Sequence, residues 1–66
     1  MNVILNGERS ELDPGVTVAA LVDRLVESPK GIAIAVNEEV VPRSQWRDVE
    51  LQADDRIEVL TASKGG

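Results

Sequence analysis

The chain has 66 residues, 42% of them hydrophobic and 29% charged, and its seven basic side chains against twelve acidic ones give a net charge of −5. That length holds one small hydrophobic core and excludes a second domain. The negative charge opposes a polyphosphate backbone, and Trp46 as the lone aromatic residue leaves no stacking platform, so no nucleic acid is expected as a ligand. No apolar run approaches the ~20 residues that span a bilayer, so no membrane is expected either. Cysteine and histidine are both absent. This removes thiolate and imidazole zinc sites, disulfides, cysteine nucleophiles and histidine bases, and makes self-contained catalysis an unfavoured reading. The Gly- and Lys-bearing loop that cradles phosphates ahead of a helix is also missing, so any ATP chemistry falls to a partner. The stretch from Met1 to Gly7 has neither the basic flank nor the apolar length of a secretory signal, and a cytoplasmic location is expected.

Val3, Ile4 and Leu5 between polar Asn2 and Asn6 predict a short strand. Asn6-Gly7 is a hairpin dipeptide that returns a second strand over Glu8 to Leu12. Asp13-Pro14-Gly15 marks a turn, and Thr17 stands at the N-cap of a helix. Val18, Leu21, Val22 and Leu25 fall at i, i+3, i+4 and i+7, which gives that helix one apolar face. Ser28-Pro29-Lys30-Gly31 ends it near Glu27. The run Ile32-Ala33-Ile34-Ala35-Val36 then alternates with period two, a strand with three branched residues on one face and two alanines on the other. Asn37-Glu38-Glu39 is a polar reversal, and Val40-Val41 is a short extended piece. Pro42 breaks it ahead of a short helical turn over Arg43 to Trp46, which sets Trp46 over one edge of the core. Asp54-Asp55 turns the chain into a last strand through Ile57, Val59 and Leu60.

A helix flanked by a hairpin and later strands indicates an α+β domain with the helix packed across one sheet face. Val3, Leu5, Ile32, Ile34, Val36, Ile57 and Val59 supply the sheet side of the core. By the same alternation Ile4, Ala33, Ala35 and Leu60 point away from the helix. So short a chain has nothing left to cover them, and they form an exposed apolar patch. Taken singly, such residues are ordinary surface hydrophobics.

The folded domain is expected over 1–60, followed over 61–66 by a small-residue tail, Thr61-Ala62-Ser63-Lys64-Gly65-Gly66. Two glycines leave an end without side chains that can thread a narrow channel. The backbone carboxylate they present is ionised at neutral pH and can attack ATP. The resulting acyl-adenylate is open to sulfur or to an amine.

The hairpin with Asn6-Gly7, Gly15-Val16-Thr17-Val18 at the helix start, Ala35-Val36-Asn37, Val41-Pro42-Arg43-Ser44-Gln45-Trp46, Asp55-Arg56-Ile57-Glu58 and the closing Gly65-Gly66 together resemble the ubiquitin-like β-grasp sulfur carriers. The likeness spans nearly the whole chain, and the Val41-to-Trp46 segment points to the thiamine-biosynthesis, ThiS-type branch. The resemblance implies a β-grasp fold, a mixed sheet of four to five strands with one helix across a face. It implies that an E1-like adenylyltransferase uses ATP to adenylate the Gly66 carboxylate, that a sulfur donor system converts the adenylate to a thiocarboxylate, and that thiazole synthase receives the sulfur. The carrier would itself bind no cofactor and no metal, and would be a protein cosubstrate, not an enzyme. Gly65 would keep the threading segment slim, and Lys64 would add a solvated or steering charge. Leu60, Ile4 and Ala35, with Ala33 beside them, would meet the partner.

Three other readings stay open on the residues alone: a carrier like the small subunit of molybdopterin synthase, a ubiquitin-like protein modifier, and a non-covalent β-grasp interaction module with an incidental soft end. The acidic pairs Glu38-Glu39 and Asp54-Asp55 read as solvated charge in turns. Asp48, Glu50 and Asp55 are expected to be docking charges for a basic partner.

Overall fold

Asn6 and Gly7 both take left-handed backbone angles, φ 49° and 84°, as the two-residue loop that matches strand twist requires. In the computed structural model, which describes residues 1–28 and 30–61, they join β1 (Asn2–Leu5) to β2 (Glu8–Glu11), with Leu5 opposite Glu8. The predicted hairpin is therefore present, with its second strand ending one residue before the expected Leu12. A second hairpin of the same loop length joins β3 (Ile32–Val36) to β4 (Glu39–Val41), with Val36 opposite Glu39 and with Asn37 and Glu38 at φ 53° and 72°.

The helix α1 (Val18–Leu25) begins where Thr17 caps it, the Thr17 hydroxyl oxygen accepting the Ala20 amide at 3.1 Å. Val18, Leu21 and Val22 are buried as the spacing predicts, but Leu25 is 44% exposed. The helix stops two residues before the expected end, and Val26 swings into extended backbone at φ −138° and ψ 157°. Val26, not Leu25, packs against the core.

The strand β5 (Arg56–Thr61) runs through the middle of one sheet of order β2-β1-β5-β3-β4. It is parallel to β1 and antiparallel to β3, so the sheet is mixed and five-stranded. Val3, Ile34 and Ile57 from the sheet meet the helix in the core. Between β4 and β5 lies a 3₁₀ helix, Arg43–Asp48, two residues longer than the expected turn. Trp46 on it is buried in the core itself, and its indole N–H donates to the Val41 carbonyl at 2.9 Å. Three core residues, Leu12, Val16 and Leu51, lie outside any strand or helix. The Val18 amide donates to the Val49 carbonyl and the Leu51 amide to the Val16 carbonyl, both at 2.9 Å, so the approach to the helix is laced to the approach to β5.

Candidate partner-docking face

Alternation along β5 sends Ile57 and Val59 toward the helix and Arg56, Glu58 and Leu60 to the opposite face. Directly paired residues share a face, so the register assembles the outer surface. Leu60 lies opposite Ala33, Glu58 opposite Ala35, and Ala35 opposite Val40. On the other side of β5, Ile4 is paired with both Arg56 and Arg9. The four predicted patch residues, Ile4, Ala33, Ala35 and Leu60, thus do share the face away from the helix. Leu60 is 59% exposed, Ala33 is exposed, and Ile4 and Ala35 are half-buried.

Val40, at 74% the most exposed of the large apolar residues, belongs to this face as well. The sequence reading missed it because Val40-Val41 shows no alternation of polarity. The signal available was the two-residue loop, which fixes Val40 opposite Ala35. Near Ile4 the face dips into a shallow depression of about 270 Å³ lined by Ile4, Gly7, Arg56, Ile57 and Glu58. Among the described residues no group of three acidic side chains is placed to hold a metal ion.

Two asparagines hold β5 in place. Where β1 ends, the Asn6 side chain continues the ladder, its Oδ1 accepting the Val59 amide at 2.9 Å and its Nδ2 donating to the Val59 carbonyl at 3.5 Å. At the start of β5, Asn37 Oδ1 accepts the Arg56 amide at 3.0 Å, and the Asn37 amide donates to the Arg56 carbonyl at 2.7 Å. Asn37 Nδ2 also donates to Asp55 Oδ1 at 2.9 Å, while Asp55 Oδ2 accepts the Gln52 amide at 2.8 Å. Asp55 is therefore a turn-closing residue with both carboxylate oxygens engaged inside the chain. Asp48 and Glu50 sit on the 3₁₀ helix and at its bridge to Thr17, beside α1 and away from the outer face. The remaining site residues, Lys64, Gly65 and Gly66, lie outside the described residues.

The ThiS family model matches residues 3–66. The chain belongs to the ThiS family. It is 32% identical over 66 residues to the sulfur carrier protein ThiS of Escherichia coli (strain K12), and the match covers 100% of both. The crystal structure of the thiamine biosynthesis protein ThiS from Geobacter metallireducens superposes with a TM-score of 0.85 at 28% identity, again over 100% of each chain. The ThiS-family chain also matches two proteins named thiazole synthase. They come from Paramagnetospirillum magneticum and Magnetococcus marinus, at 30% and 38% identity over the whole chain, which spans 20% of each. The five-stranded mixed sheet with its single helix is thus the ThiS β-grasp fold, as the sequence resemblance implied.

Proposed function

We propose that this ThiS-family chain is a sulfur carrier of thiamine biosynthesis and that Gly66 bears the sulfur. The observation that carries the reading is the end-to-end match with the Escherichia coli carrier, over 100% of both chains. The family match reaching residue 66 supports the choice of Gly66 as the reacting residue.

In this reading a carboxylate oxygen of Gly66 attacks the α-phosphorus of ATP in an E1-like adenylyltransferase, and pyrophosphate leaves. A sulfur donor then displaces AMP from the acyl carbon, and the resulting thiocarboxylate gives its sulfur to thiazole synthase. Gly65 keeps the end slim enough to thread an active site. Lys64 supplies a charge beside it. Leu60, Ile4, Ala33 and Ala35 form the surface on which the partner enzymes dock, with Val40 added by the β4 register. The chain acts as a cosubstrate without a cofactor of its own, and we place it in the cytoplasm, where the partner draws on ATP. The alignment of the whole chain with a fifth of each thiazole synthase supports a working partnership between carrier and synthase.

Intact-mass spectrometry after incubation with an E1-like adenylating enzyme, ATP and a sulfur donor tests the reading. The expected result is a gain equal to one sulfur replacing one oxygen, localised to Gly66. An unchanged mass together with no ATP–pyrophosphate exchange would move the weight to a non-covalent interaction module.

A further inference from the structure

The outer sheet face sets two exposed arginines on either side of one apolar residue. Arg9, Ile4 and Arg56 stand side by side across β2, β1 and β5, which puts the two arginines about 10 Å apart at the usual strand spacing. Both are exposed, and neither forms an ion pair with an acidic side chain among the described residues. The acidic residues sharing this face are Glu11 on β2 and Glu58 on β5, and Glu11 already lies 3.7 Å from the terminal amine of Met1. In a chain with seven basic and twelve acidic residues, the outer face is close to neutral. The excess of negative charge lies on the other surfaces.

We infer that the outer face is a two-part docking surface: Leu60, Val40 and the two alanines take apolar contact, and Arg9 with Arg56 selects a protein partner that carries carboxylates beside its own apolar patch. The inference rests on the reading that a partner enzyme docks on this face, and it names the chemistry that partner must show. The net charge of −5 opposes approach of an acidic partner in general, and the arginine pair admits it here, which is the way charge confers orientation and association rate more than affinity. A guanidinium fits a carboxylate through two parallel hydrogen bonds, so the pair also defines direction. Arg56 opens β5 and Thr61 closes it, about 16 Å apart at the strand rise. An apolar patch alone leaves rotation about its centre free. A charged anchor that far from the root of the C-terminal segment fixes the rotation and so aims Gly66. The partner chemistry is the reverse of the basic surface that the net charge of −5 suggests.

The test is the steady-state dependence of ATP–pyrophosphate exchange on carrier concentration, with the E1-like adenylating enzyme of the same organism. The variants are Arg9→Glu with Arg56→Glu, the milder Arg9→Gln with Arg56→Gln, and Leu60→Ala. Both arginines are solvent-exposed, and circular dichroism checks that each variant is folded; the glutamine pair carries the test if the double reversal is not. The double reversal is expected to raise the carrier KM about tenfold or more, far beyond any change in kcat. Added salt is expected to raise the wild-type KM and to leave that of the glutamine pair nearly unchanged. An unaltered or lowered KM in both arginine pairs, with Leu60→Ala still raising it, overturns the arginine selection and leaves docking on this face standing. If Leu60→Ala is also silent, docking on the face fails as well. Absence of exchange with the wild-type chain sinks the carrier reading and this inference together.

Discussion

Glu38 occupies the second position of a two-residue hairpin loop at φ 72°, the position that Gly7 fills in the first hairpin. A side chain at left-handed angles costs about 1–2 kcal/mol, and glycine costs about 0.5–1 kcal/mol in added freedom of the unfolded chain. Glu38→Gly is therefore expected to stabilise the protein by up to about 1 kcal/mol, read as a higher urea midpoint with an unchanged slope. Asn6 works in the opposite direction. Its side chain tolerates φ 49° and supplies the bond to the Val59 amide. Asn6→Ala loses both and should cost about 1–2 kcal/mol, whereas Asn6→Asp keeps the Oδ1 acceptor and should cost less. Equal midpoints for the alanine and aspartate variants would show that the Val59 bond contributes nothing. The scale that makes these shifts measurable is the small total, about 3–10 kcal/mol for a chain of this size.

At the scale of elements, the N-cap of α1 offers the sharpest check. Thr17 accepts the Ala20 amide, and Thr17→Ala is expected to cost about 1 kcal/mol. Thr17→Ser keeps the hydroxyl and should recover most of it; a serine variant no better than alanine would assign the loss to packing. The cap was legible from sequence because a turn cluster, a hydroxyl residue and an apolar spacing of three and four coincide there. The order of all the elements was legible for the same reason, as each has a local signal. Leu25 was misread because the i+7 spacing assumes helical backbone through Glu27, whereas the chain turns extended at Val26 and packs that residue on the core in place of Leu25. Leu12, Val16 and Leu51 were missed as core because isolated apolar residues in connections carry no period, and only the lacing of the 16–18 and 49–51 segments buries them. Of the candidate site, alternation gave Ile4, Ala33, Ala35 and Leu60. Val40 and the Arg9–Ile4–Arg56 row needed the pairing of strands that are distant in sequence. Asp55 adds a role that the sequence does not display, because its two bonds to Asn37 and Gln52 exist only once the turn has formed.

For the molecule as a whole, the proposed function puts folding and chemistry in different parts of the chain. Among the described residues, the buried core runs from Val3 to Ile57. Leu60, at 59% exposure, lies on the far side of the sheet from that core. Ending the chain at Thr61 should therefore leave the urea midpoint unchanged while abolishing the mass gain at the C-terminus. Leu60→Ala should likewise leave the midpoint within about 0.5 kcal/mol of wild type and raise the carrier KM in ATP–pyrophosphate exchange. The two variants separate the two steps that partner enzymes demand. The shortened chain still presents the docking face, but its terminal carboxylate now sits on Thr61, five residues back from Gly66 and on a strand residue that cannot thread an active site as glycine does. It should therefore act as a competitive inhibitor of the full-length carrier. The Leu60 variant keeps the reacting end and weakens the docking. A shortened chain that neither inhibits nor loses stability would place recognition in residues 62–66 and not on the sheet. A lowered midpoint would show that residues 62–66 belong to the folded domain, as Thr61, expected in the tail but paired with Ile32 in β5, already does.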